Sequence, residues 1–290
     1  MLNRLFGNYL CDKKMIALEQ LDGLLPVSQN IKAEIETIIV INKVLSPALV
    51  QELLNNANAT KKTVGDTAVI SGYLSEERME QLMLYQTNSF MKLIQALLDN
   101  KILALEQINS LIDEFQEING FTDVQMSALI HDDVEQCVGI FVPIKSSQLK
   151  ELTLTLVQTL RRLIDIDMYL EKAYATRSYR LERYASQMII GDMHVKFYLS
   201  APEDGLLAIA NYFTDDKYQT ITNDALDNVG EFINCVNGLF ATNLSYDDIS
   251  VDMTSPDYSL DGTFINNDKL YVLPIHANGY KVDAVIEVYN

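Results

Sequence analysis

A short run in the C-terminal half, Asp227-Asn228-Val229-Gly230-Glu231-Phe232-Ile233-Asn234-Cys235-Val236-Asn237-Gly238, sets a carboxylate and an amide three residues apart within an apolar-periodic segment. On a helix, Glu231 and Asn234 then share one patch of surface. The carboxylate can pair with a cation, and the amide can both donate and accept, so it can hold a water without being a strong base. At 100° per residue, Asp227, Glu231, Asn234 and Gly238 fall inside about 60°. Leu226, Val229, Phe232, Ile233, Val236, Leu239 and Phe240 occupy an opposed arc of about 140°, the predicted core face. A glycine inside a helix costs about 1 kcal/mol relative to alanine. Core packing gives no reason for Gly238 on the polar stripe, whereas close approach by another backbone would. Two plainer alternatives stay open: Gly230 and Gly238 are ordinary helix weaknesses, and the stripe only solvates the helix. Glu-x-x-Asn is common enough that Glu52 and Asn55 repeat it without this context.

Other chemistries are poorly supplied. Cys11, Cys137 and Cys235 are odd in number and far apart, which argues against a disulfide framework or a paired-cysteine metal site and for a reducing compartment. His131, His194 and His276 are isolated, so no intrinsic metal or other cofactor is expected. With 40 acidic against 22 basic residues and a net charge of −18, a nucleic-acid or anionic-membrane partner is disfavoured. Asp12, Lys13 and Lys14 spoil a signal-peptide core, and no 18-residue apolar run follows, so the expectation is a cytoplasmic protein without membrane insertion.

The polar stripe needs a sheet to pack its helix against. Ser147–Ala173 reads as one long helix, with Leu149, Leu152, Leu156, Leu160, Leu163 and Ile164 at helical spacing. Leu181–Ile190 and Met193–Ser200 flank Gly191-Asp192, a two-residue hairpin signal. In the second strand Val195, Phe197 and Leu199 face the core, while His194, Lys196 and Tyr198 face water. Pro202 ends that strand. Helices over Glu203–Phe213 and Asn223–Thr242 follow, then strands near Ile249–Met253, Lys269–His276 and Tyr280–Tyr289. The order α-β-β-α-α-β-β-β predicts an α+β domain with a mostly antiparallel sheet. Glu203-Asp204 and Tyr246-Asp247-Asp248 read as loop and cap acids.

The first 120 residues carry a repeat of 29, with copies beginning at Phe6, Ile35, Val64 and Leu93. Leu24, Leu53, Leu82 and Leu111 agree without exception. Each copy predicts a short helix, a tight turn at Lys14, Lys43, Gly72 or Lys101, and a second helix; Ser46-Pro47 and Ser75-Glu76-Glu77 are helix starts. One such unit cannot bury its apolar stripe alone, so the copies should stack into an all-α repeat domain. The register ends near Gly120. The resulting division is a helical repeat domain over 1–120, a linker or helical segment over 121–146, and an α+β domain over 147–290.

The copies resemble the helical repeats of the GspE/MshE N-terminal type, from secretion and pilus-assembly ATPases. In some members a related motif opening Arg-Leu-Gly and ending in Gln binds cyclic di-GMP. Phe6-Gly7, Val64-Gly65 and Gln86 match parts of that motif, but Leu5 and Thr63 stand where its arginine would be, removing the guanidinium that would engage a nucleotide. A scaffold or partner-docking module is the favoured reading.

The Asp227–Gly238 run, with 21 residues lying between Asn234 and Pro256, resembles the active helix of the CheC/CheX/FliY family of chemotaxis phosphatases. One such helix, rather than two, points to the CheX-type arrangement over roughly Ser147–Asn290. The resemblance implies hydrolysis of the phosphoaspartate on a phosphorylated CheY-like receiver domain, whose own Mg²⁺ would be the only metal. It implies Glu231 and Asn234 as the catalytic pair, with Asp227, Gly238 and Pro256 in support, and a possible homodimer through the sheet. Alternatives from other classes are a noncatalytic adaptor for receiver, motility or pilus components and, less favoured, a cyclic-dinucleotide sensor.

Overall fold

The structure, a computed structural model, describes residues 1–214 and 217–289. Two compact units divide at Asp133/Val134. That division lies inside the stretch 121–146 that the sequence reads as a linker.

The first unit is all helix: α1 Leu2–Asp12, α2 Leu18–Ser28, α3 Ile35–Ile41, α4 Pro47–Thr60, α5 Val64–Ile70, α6 Glu76–Met83, α7 Ser89–Asp99, α8 Leu105–Asn119 and α9 Asp123–His131. The four turn residues share a left-handed backbone, with φ of 58° at Lys14, 54° at Lys43, 74° at Gly72 and 54° at Lys101. At each, the turn N–H donates to the carbonyl three residues back and the next N–H to the carbonyl five back, at 2.8–3.0 Å. This is the paired closure that satisfies the last carbonyls of a helix. Leu24, Leu53, Leu82 and Leu111 are all buried. Ser46, Thr63 and Ser75 cap α4, α5 and α6 with their hydroxyls. α9 belongs to this unit, opened by the Thr122 capping box after Gly120 and closed at Asp132, φ 59°.

The second unit begins with α10 Val134–Phe141 and α11 Ser147–Leu163. Its strands are β1 Tyr169–Leu170, β2 Tyr174–Leu181, β3 Arg183–Gly191 and β4 Val195–Ala201; helices α12 Glu203–Phe213 and α13 Asn223–Ser245 follow, then β5 Val251–Met253, β6 Asp257–Ser259, β7 Thr263–Ala277 and β8 Tyr280–Val288. Every pairing is antiparallel, in the order β1-β7-β8-β4-β3-β5, with β2 also on β7 and β6 also on β3. α13 packs on β3 and against α11 and α12, so the apolar arc of α13 meets the sheet. No helix among the described residues is long and apolar enough to cross a membrane.

Four expectations are corrected. The long helix stops at Leu163 rather than Ala173, because Asp165 turns the chain: its Oδ1 accepts from Asp167 N at 2.9 Å and its Oδ2 from Asn278 N at 2.8 Å. The hairpin at Gly191-Asp192 is not a two-residue turn. Its last β3–β4 pair is Ile189–Val195, and β3 runs on through Ile190 and Gly191 to pair with β5. Leu181 closes a separate strand that pairs with β7. Tyr198 does not face water: it is buried with Leu181, Val272 and Val285 where β2 and β7 extend the sheet, and its hydroxyl donates to Glu287 Oε2 at 2.7 Å. Burial and that carboxylate raise the Tyr198 pKa well above the ordinary phenol value.

Candidate functional site

Thr222 opens α13, its hydroxyl accepting from Ala225 N at 3.2 Å. The helix buries Leu226, Val229, Phe232, Ile233, Val236 and Phe240. Leu239, at the margin of the predicted arc, is exposed instead. On the opposite face Asp227 and Glu231 are exposed, and neither side chain has a partner among the described residues. Asn234 is half-buried one turn after Glu231. Glu231 and Asn234 are thus neighbours on an open helix face, as their spacing predicts.

Asn234 is anchored from beneath. Its Oδ1 accepts from Gln187 Nε2 at 2.8 Å. Gln187 lies on β3, 1 % exposed, and the same Nε2 donates to the Thr254 carbonyl at 2.8 Å. Its Oε1 accepts from Asn237 Nδ2 at 2.8 Å. Asn237 is fully buried, and its own Oδ1 has no hydrogen-bond partner. The segment bearing Thr254 is stitched to β3, with Thr254 N donating to Met188 O at 3.0 Å. Sequence reasoning missed both buried amides. The legible signal was Asn237, a polar residue set about 20° from Leu226 and about 40° from Ile233 on the helical wheel.

The supporting residues separate. Pro256 reaches α13 at Gly230, where an added β-carbon would lie 3.0 Å from Pro256 Cβ. Gly238 is not approached by another backbone: the nearest atom to a β-carbon there is Met253 Cε at 4.0 Å. The close approach expected at Gly238 therefore occurs at Gly230, since the chain leaving β5 crosses the helix two turns earlier. Asp227 lies on the exposed stripe, one turn before Glu231.

Chemically, the face offers one free carboxylate beside one fixed amide. Among the described residues no group of three or more His, Cys, Asp and Glu side chains could hold a metal. The arrangement suits a docking face that meets a partner's reacting centre rather than a cleft that encloses a small substrate.

The family model described as Chemotaxis phosphatase CheX matches residues 184–274, from β3 into β7, and that stretch is a CheX-family domain. It contains Gln187, the α13 stripe, Thr254 and Pro256. Solved structures similar to the chain include the chemotaxis protein CheX from Desulfovibrio desulfuricans, at 17% identity and TM-score 0.44, covering 50% of this chain and 100% of that one. CheX from Vibrio vulnificus has 16% identity and TM-score 0.44, covering 50% of this chain and 100% of that one. A CheX-CheY-BeF3-Mg complex from Borrelia burgdorferi has 14% identity and TM-score 0.40, covering 50% of this chain and 99% of that one. No curated protein matches the chain by sequence.

Proposed function

We propose, starting from the CheX-family domain at residues 184–274, that this chain hydrolyses the phosphoaspartate of a CheY-like receiver domain. The observation that carries this reading is an exposed, unpartnered Glu231 one turn from an anchored Asn234 amide, inside the matched segment. An acyl phosphate already bound to the receiver's own Mg²⁺ needs little covalent help. Catalysis then reduces to holding a water in line and stabilising charge on the phosphoryl oxygens. Asn234 is the group that orients the water. Glu231 pairs with the receiver's active-site lysine and so fixes how deeply the helix face inserts.

Asp227 lies further along the same exposed face and adds to docking. Pro256 acts from behind, holding the crossing chain against Gly230. The helical unit 1–133 is the recruiting or regulatory module in this reading, and pairing of two copies through the sheet belongs to it as well. A sizing measurement in solution tests the pairing. The enzymatic claim is tested by phosphate release from phosphorylated receivers, with and without the protein. Acceleration supports it; stable binding without acceleration favours the adaptor.

A further inference from the structure

We infer that Gln187 is a positioning residue for Asn234, turning its amide so that Oδ1 faces the core and Nδ2 faces the docking partner. The inference rests on the phosphatase reading for its kinetic consequence, but its structural part stands on the hydrogen bonds alone.

The direction of every bond in this chain is forced. An amide oxygen and nitrogen are alike in shape, so their assignment must come from partners of unambiguous chemistry. The Thr254 carbonyl is such a partner, because it can only accept. The Gln187 atom 2.8 Å from it must therefore be Nε2. Gln187 Oε1 then faces Asn237, which must present its Nδ2. The second Nε2 proton points to Asn234, which must present Oδ1. Reversing any one amide would set two acceptors or two donors against each other in a buried place, at a cost of about 1–3 kcal/mol per orphaned group.

One cost is visible. Asn237 is fully buried with Oδ1 unsatisfied, on the core side of a helix whose neighbouring positions are apolar. A buried amide with one unpaired end is poor core material. Its Nδ2 nevertheless fills the single position that pins Gln187 Oε1. With Oδ1 held from below, Asn234 Nδ2 has no partner among the described residues and is not one of the buried unsatisfied atoms. Asn234 therefore presents two N–H donors outward, and donation by Gln187 to its oxygen polarises the amide and strengthens them. A donor aimed at a phosphoryl oxygen meets the negative charge of the transition state, the second N–H can hold the in-line water in place, and fixing both in advance removes reorganisation from the barrier.

The test has two arms. In the first, side-chain amide hydrogen exchange is followed by NMR on the wild-type protein. Both Gln187 Nε2 protons are bonded and buried, so they should exchange at least about 100-fold more slowly than those of Asn234. Equal rates would overturn the assigned orientation, whatever the enzyme's activity. The second arm is a kinetic cycle on a phosphorylated receiver with wild type, Gln187→Glu, Asn234→Ala and the double variant. Glutamate keeps the shape but, ionised, can only accept, so it should draw Asn234 Nδ2 inward. Positioning predicts kcat lower by roughly 10- to 100-fold with KM little changed. It also predicts that Gln187→Glu changes the rate by less than about 2-fold once Asn234 is alanine. The same loss in both backgrounds would mean a structural role only and would overturn the proposal. If Gln187→Glu does not fold, the exchange arm decides. A wild type inactive on every receiver while Gln187 stays protected would sink the phosphatase reading and leave the amide orientation standing.

Discussion

Pro256 rests on Gly230: a β-carbon at that glycine would come within 3.0 Å of the proline's Cβ. The chain returning from β5 thus crosses α13 one residue before Glu231, and the same segment gives its Thr254 carbonyl to Gln187. One crossing both sets the height of the helix over the sheet and fixes the amide beneath Asn234.

The two helix glycines should therefore respond oppositely to alanine. Gly230→Ala should destabilise by about 1–3 kcal/mol through overpacking on Pro256. Gly238→Ala meets only a flexible methionine end at 4.0 Å and should stabilise by up to about 1 kcal/mol. Urea unfolding midpoints check both. Weaker receiver binding in a stabilised Gly238→Ala protein would assign that glycine to the docking face.

Asn234 separates its core-facing oxygen from its outward nitrogen. Asn234→Asp keeps an acceptor for Gln187, so stability should hold within about 1 kcal/mol. It replaces outward donors by a charged acceptor, so phosphate release should fall by roughly 10²-fold or more. Unfolding curves and single-turnover rates on the same preparations test the separation. Glu231→Ala should leave stability within about 0.5 kcal/mol while weakening both docking and rate.

The repeat turns offer a test in the first unit. Lys101 adopts the left-handed backbone that Gly72 adopts at the equivalent place. Lys101→Gly should stabilise by about 0.5–1 kcal/mol, and Gly72→Ala should destabilise by about 1 kcal/mol. Leu53→Ala, which opens a cavity at a 1 % exposed position, should cost about 2–5 kcal/mol. Thermal or chemical denaturation resolves all three.

His131 should make that unit sensitive to acid. Burial, with Arg78 adding to it and Asp133 opposing, holds the imidazole below its ordinary value of 6.5. Its Nε2 is 2.7 Å from Asn42 Oδ1, and its ring stacks on Tyr85. The unfolded chain takes up this proton first. The contribution is therefore fully present above pH 6.5 and is lost as pH falls through the lowered folded value. Amide protection in α9, corrected for the intrinsic slowing of exchange toward acid, should fall between pH 7 and 5, and His131→Gln should reduce that change. An unaltered profile in the variant would contradict it.

What was legible followed from period. Four turns at 29-residue spacing and four leucines in register fixed the helix pairs, because a repeated unit must repeat its backbone solution. The apolar arc of α13 was legible for the same reason, except at Leu239, whose marginal angle leaves it exposed. Pairing partners were not. Tyr198 alternates correctly for a solvent face, yet its neighbours Leu181 and Val272 come from strands whose extension no local pattern encodes. Glu231 and Asn234 were legible as a stripe. Gln187 was hidden because an amide in a strand looks like any solvent-facing residue until the helix above it is known.

The most direct test of the central claim is a phosphate-release time course on a phosphorylated CheY-like receiver, comparing no addition, wild type and Asn234→Ala at saturating receiver. The account predicts that wild type accelerates release and that Asn234→Ala still binds the receiver but is slower by roughly 10²-fold or more. Wild type without effect across a panel of receivers, or Asn234→Ala as fast as wild type, would contradict it.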